Sequence, residues 1–232
     1  MTIGTGLNID TALSNISGFT SLTFGRADGT GTVTLSGSTP KTPYSFSSSI
    51  TLQSGGTGGS VVIDNPISTT DAQVTFNAGG LLSINQSVET QTGAVSLTGN
   101  TITIADTKSV ISSSGGAITI SANTLTLSGT TTLSSSGSLA ITPETTGTTI
   151  GIGGGSGTLA LPASYFTTNF SDGFSDITIG NATTGNVTTG AIILRDNFSL
   201  ISGGTITVNG VLAATGNNTI TLKGTGLSLI HI

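Results

Sequence analysis

The sequence predicts an all-β protein built as a β-solenoid, a rod of stacked coils, and three observations predict it. Apolar residues alternate with Thr or Ser at a period of two, as in Ile102-Thr103-Ile104, Ile118-Thr119-Ile120, Leu125-Thr126-Leu127, Ile206-Thr207-Val208 and Ile220-Thr221-Leu222. This is the pattern of short strands with one buried face, and β-branched residues suit such pleats. Similar segments then recur along the chain, Val95 with Ile118 and Ile118 with Leu139. That is the spacing of a coil that cannot bury its own apolar face and must stack on its neighbours. Finally, 46 Thr, 32 Ser and 35 Gly make up about half of the 232 residues, and only 6% are charged, against roughly 25% in an average soluble domain.

Taken in chain order, the first residues, Met1-Thr2-Ile3-Gly4-Thr5-Gly6, show neither a cationic start nor an apolar stretch, so no signal peptide is read there. Asp10-Thr11-Ala12-Leu13-Ser14 offers the one helical turn, with Asp10 as its N-cap. The clearest repeat follows in the middle of the chain. Residues 93–104, GAVSLTGNTITI, match 116–127, GAITISANTLTL, at five of twelve positions, and every apolar position faces an apolar one. A looser copy runs from Gly204 to Leu222, and Val61 is followed by Leu82 at the interval that separates Ile118 from Leu139. Strands stacked at ~4.8 Å would give about ten coils and a rod of roughly 50 Å.

A longer repeat sets the domain expectation. Residues 18–27, GFTSLTFGRA, match 173–182, GFSDITIGNA, a separation read as about seven coils, and 59–63 resembles 204–208. Residues 1–172 are therefore expected to be one module, whole or truncated at its start, and 173–226 the beginning of a second copy on the same solenoid. The last six residues, 227–232, are what translation of CTG TCT CTT ATA CAC ATC gives. That string is the transposon-end adapter of shotgun libraries, and the hexapeptide is expected to be a non-native tail. It contains His231, the one histidine. No polar cap is read at either end, so the chain is expected to be an internal piece of a longer array.

The phrase Phe19-x-x-Leu22-Thr23-Phe24-Gly25-x-Ala27, followed by Asp28-Gly29-Thr30-Gly31-Thr32-Val33-Thr34-Leu35, resembles the repeats of giant bacterial β-strand-repeat exoproteins. These are similar to filamentous-haemagglutinin-type and autotransporter passenger domains. The resemblance covers most of residues 7–226 and implies a right-handed parallel β-helix, export to the bacterial surface or medium, and a role such as adhesion.

Composition excludes several function classes. Without cysteine there is no disulfide framework and no thiolate metal site. Five cations and a net charge of −5 leave no basic footprint for nucleic acid, and no apolar run reaches the ~20 residues of a membrane span. Gly154-Gly155-Ser156-Gly157-Thr158-Leu159 approaches a calcium-binding β-roll turn, but Leu159 stands where the carboxylate belongs, and no EF-hand spacing occurs. Gly155-x-Gly157-x-x-Ala160 approaches a dinucleotide loop, but Pro162 and the strand-like Leu159-Ala160-Leu161 deny it the helix it needs. Both are read as glycine turns.

The densest charged region is Asp172, Asp176, Arg195 and Asp196. Glycoside hydrolysis needs two carboxylates facing each other across ~5–10 Å. The plainer reading is an exposed ion pair between Asp176 and Arg195, stacked one coil apart. Serine nucleophiles lack a histidine partner. Four aromatics, Tyr165, Phe166, Phe170 and Phe174, fall between Pro162 and Asp176; they are either a stacking platform for sugars or, as favoured here, a loop packed onto the module junction, since Phe174 aligns with Phe19. Asn100, Asn123 and Asn218 precede strands and are read as stacked corners forming an amide ladder. The sequons at Asn181 and Asn186 are chance in so Asn- and Thr-rich a chain. The outward pairs Thr101/Thr103, Thr124/Thr126 and Thr219/Thr221 could order water as ice-binding arrays do, but Val62 and the drift in coil length break the regularity.

The sequence therefore points to a structural stalk or adhesin fragment, secreted or on a bacterial cell surface, that acts by rigid multivalent display. No catalytic residue, metal ligand or cofactor is expected. The partners expected are surface glycans or extracellular matrix and adjacent repeats of the same chain. A β-helix carbohydrate-active enzyme or glycan-binding module is the alternative, and an ice-binding Thr array ranks below it.

Overall fold

A computed structural model describes residues 2–3, 18–37, 41–112 and 114–229. The helical turn expected at 10–14 and His231 lie outside the described residues. Among the described residues every strand pairing is parallel, and consecutive strands along most of the chain fall in different sheets. That is the topology of a coil with three faces. One face is a nine-stranded sheet that starts at Ser21–Arg26 and ends at Ile220–Lys223. The second face begins with Thr2–Ile3 and Thr32–Leu35 and rises to Thr124–Leu127; the third runs from Tyr44–Phe46 to Thr132–Ser135. From Ile150 onward these two faces continue as a five-stranded and a two-stranded sheet.

Register explains why this sequence adopts the coil. Strands have a side-chain period of two, so in-register stacking puts like residues in columns. On the long face Leu22, Ile50, Val74, Val95, Ile118, Leu139, Ile177, Phe198 and Ile220 form one inward column. All but the two end members are 4% exposed or less. Each such side chain stabilises the stack by about 1.5–3 kcal/mol through burial. The repeats read from the sequence are the observed pairings: Val95 on Ile118, Ile102 on Leu125, Val61 on Leu82 and Ile118 on Leu139.

The coil count is a correction. Nine rungs on the long face enclose eight turns, not ten, a rise of about 38 Å. Most turns keep close to the spacing that separates Val95 from Ile118 and Phe198 from Ile220. Two are longer: Ser21 pairs with Ser49, and Leu139 pairs with Ile177. For the same reason the long repeat, which aligns Leu22 with Ile177, spans six turns rather than seven. The long sheet runs unbroken across residue 173.

The turn from Leu139 to Ile177 holds the departure from regularity. The strand Ile150–Ile152 is paired in parallel with Leu159–Leu161, the very next strand in the chain. Joining parallel strands ordinarily takes about a dozen residues or more. Here the chain reverses at Gly153 and Gly154, both at positive φ (60° and 94°), and Gly155–Gly157 returns across the outside of the first strand. A Cβ on Gly151 would lie 2.1 Å from the Gly155 carbonyl oxygen, and one on Gly157 would lie 2.1 Å from the Gly151 nitrogen. Only glycine lets backbone cross backbone so closely. Beyond this crossover Tyr165–Asn169 forms one π-helical turn, closed by Phe170 N–H donating to the Tyr165 carbonyl at 2.7 Å. It occupies the rung on the third face between Thr132–Ser135 and Ile192–Leu194.

Candidate functional site

The aromatic segment is core. Tyr165, Phe166, Phe170 and Phe174 are all buried, and Phe166 stands edge-on to Phe170 and Phe198, with centroids at 5.1 and 6.1 Å. This excludes a sugar-stacking platform there and agrees with a loop packed onto the rod. The alignment with Phe19 does not extend to burial, because Phe19 is 61% exposed. Tyr165 does what a strand would do at this rung: the Leu127 N–H donates to its hydroxyl at 2.9 Å, and the hydroxyl donates to the Leu125 carbonyl at 3.1 Å. The Asn169 amide similarly donates to the Thr131 carbonyl at 2.7 Å.

The ion pair expected between Asp176 and Arg195 is not formed. The Arg195 guanidinium donates to the Phe170 carbonyl at 2.7 Å, holding the end of the aromatic turn. Asp176 accepts from Thr178 at 2.6 Å and Ser199 at 3.3 Å. The π turn displaces a regular strand and leaves carbonyls without ladder donors, and a planar guanidinium fits that need. Among the described residues the one ion pair is Arg26 with Asp28, bidentate at 2.9 and 2.7 Å.

Asp196 is the buried carboxylate. It is 7% exposed and accepts from the Gly173 N–H at 2.9 Å. Burial pushes its pKa above the ordinary value, and the nearby Asp172 pushes it the same way; the Gly173 bond and Arg195 oppose them. This is the environment of a general acid in kind, and the same carboxylate bonds the neighbouring coil at Gly173. Asp64 accepts from Asn85, Asp71 from Thr92, Asp106 from the Thr130 N–H and Asp176 from Ser199, each donor lying on the next coil. Acids are placed at corners where the neighbouring coil presents a donor. Among the described residues no group of three or more His, Cys, Asp or Glu is arranged to hold a metal ion.

The amide ladder forms in part. The Asn123 Nδ2 donates to Asn100 Oδ1 at 2.8 Å, and Asn123 Oδ1 accepts from the Thr145 N–H at 3.0 Å. Asn218 belongs to a different corner, before a strand of the long face, where it donates to the Arg195 and Thr215 carbonyls. Its neighbour at that corner is Asn197, which accepts from the Thr219 N–H at 3.0 Å. Spacing to the next strand alone does not tell which of three corners an Asn occupies.

The Thr pairs do face outward. The outward column of the long face reads Thr23, Thr51, Thr75, Ser96, Thr119, Ala140, Thr178, Ser199 and Thr221. On the second face Val62 and Leu81 interrupt the hydroxyls.

Two open depressions flank the glycine crossover. One, of about 460 Å³, is lined by Thr149, Ser156, Gly157, Thr158, Asn186 and Thr188. The other, of about 360 Å³, is lined by Gly151, Gly153–Gly155, Ala160, Leu161, Pro162 and Ala163. The glycine motif singled out in the sequence is thus the ridge between them. Its neighbours Thr149 and Thr188 were not singled out, and Asn186 only as a chance sequon, because nothing in sequence shows that 149, 158 and 188 meet.

The fold defines the chain as a parallel β-solenoid repeat protein. Compared with family models, curated proteins and solved structures, the chain matches none. No helix among the described residues is long and apolar enough to cross a membrane.

Proposed function

We propose that this chain is a stretch of rigid stalk from a secreted or surface-displayed bacterial exoprotein, a right-handed β-helix that holds binding surfaces away from the cell. One observation carries the reading: a single parallel ladder continues through nine rungs. Bending such a rod strains the ladder hydrogen bonds on its convex side, so it resists bending and keeps its contacts at fixed spacing. Repeated weak contacts along it add as avidity. The module repeat from residue 173 would extend the same rod.

The acids support a structural rather than a catalytic role. Asp64, Asp71, Asp106, Asp176 and Asp196 each bond the neighbouring coil, the placement expected of residues that tie one coil to the next. Limited digestion with proteinase K tests the stalk reading. Cleavage confined to the ends of the chain is expected, and rapid internal cuts within residues 44–142 under native conditions would refute it.

A further inference from the structure

We propose that the glycine crossover and its two flanking depressions form a binding site for a neutral oligosaccharide. On a regular coil of this face every rung presents side chains outward. Here the outward positions of two paired strands are Gly151 and Ala160; the backbone limb Gly155-Ser156-Gly157 lies against Gly151, and Ala160 is left exposed.

Hydroxyls of Thr149, Thr158, Thr188 and Ser156 and the Asn186 amide border one side of the limb. Ala160, Leu161, Pro162 and Ala163 border the other. A pyranose ring has the matching chemistry, hydroxyls around its rim and C–H groups on its faces. A Cβ on Gly154 would meet nothing within 4 Å, so a glycine there leaves the ridge open to close approach by such a ring.

No charged side chain borders either depression, which selects uncharged sugars over uronates or sulfated chains. Two positive-φ glycines turn the chain into the ridge, and insertions into a repeat map to loops on one face, often the binding face. With no aromatic on its walls to stack on, one site holds its sugar weakly. Weak binding matters only on a rod that repeats it, so the site presupposes the display role proposed above.

The test is a titration of the ¹⁵N-labelled chain with cellohexaose, chitohexaose, maltohexaose and xylohexaose at millimolar concentration, beside hexagalacturonate. At least one neutral probe is expected to shift the amides of Thr149, Ser156, Thr158 and Thr188, and hexagalacturonate to shift none. Silence with all four neutral probes, shifts confined to another face, or equal response to hexagalacturonate overturns the site. Ala160→Arg and Ser156→Arg fall at exposed positions, and each is expected to weaken binding at least about tenfold with an unchanged circular dichroism spectrum; unaltered binding in both overturns the site. A chain that ignores every sugar yet resists internal proteolysis loses the site and keeps the stalk. A chain that binds but is cut within its coils loses the stalk and keeps the site.

Discussion

The coils between Ser49 and Thr142 and the long turn that follows them share one continuous ladder on the long face, yet they are held together differently. In the regular coils each rung is stabilised by its columns: Ile50, Val74, Val95, Ile118 and Leu139 repeat one buried position, and main-chain bonds run rung to rung. In the long turn, from Leu139 to Ile177, the columns are interrupted. Stability there rests on single groups: a glycine crossover, a tyrosine hydroxyl in place of a strand, and an arginine on orphaned carbonyls. Repetition spreads a load over many interchangeable contacts, while an insertion concentrates it. Loss of one of these single groups should therefore be felt with no equivalent group in the adjacent coil to share it.

The largest effect is expected from the crossover. Gly157→Ala places a Cβ 2.1–2.2 Å from the Gly151 nitrogen and the Ile150 carbonyl carbon, and backbone cannot step aside. A loss of about 3 kcal/mol or more is expected in urea denaturation. Gly31→Ala, at ordinary φ with open space around it, should change stability by no more than about 0.5 kcal/mol. Comparable losses at both positions would show that backbone crowding does not set the cost of the added methyl.

Next comes Tyr165→Phe. The ring stays, but the Leu127 N–H and Leu125 carbonyl lose their shared partner inside the rod. Leaving a buried donor unsatisfied costs about 1–3 kcal/mol, and hydrogen exchange at Leu127 should accelerate more than at Ile104, one rung below. Exchange rates that rise equally at both sites would show that the hydroxyl does not substitute for a strand.

At the boundary between the two regions, Asn123→Ala cuts an amide that links Asn100 to Thr145 at an exposed corner. About 1 kcal/mol is expected from those exposed bonds, less than Tyr165→Phe, with the neighbouring coils still protected. A larger loss here than at Tyr165 would reverse the ranking.

These differences also explain what could be read in advance. Strand alternation, the recurring spacings and the inward columns were legible because a solenoid writes its packing locally, one coil at a time. The number of turns was not, because the turn from Leu139 to Ile177 absorbs residues that a uniform period counts as nearly two coils. The glycine motif was recognisable as a turn. Its role as a crossover was not, because that depends on Ile150–Ile152 pairing with the strand just after it. The π turn at Tyr165–Asn169 has only five residues and no amphipathic period to betray it. Arg195 was misassigned because sequence shows its charge and not the free carbonyls that attract it.

The smallest expected effect separates the two regions by pH. Asp196, in the upper region, has its pKa raised by burial, so the folded chain holds that proton more tightly than the unfolded chain does. Its contribution to stability is greatest below the unfolded value of about 3.9 and declines as pH rises through the higher folded value. Asp106, at an exposed corner of the regular coils, has its pKa lowered by the Thr130 N–H. Its contribution is present above about 3.9 and is lost as pH falls through the lower folded value. Asp196→Asn should therefore flatten a fall in stability above about pH 4, and Asp106→Asn should flatten a rise below it. Urea midpoints measured on both sides of that pH check both. If Asp196→Asn instead left the slope on the high side unchanged, the carboxylate would be ionised throughout, and the Gly173 N–H together with Arg195 would outweigh burial in setting its charge.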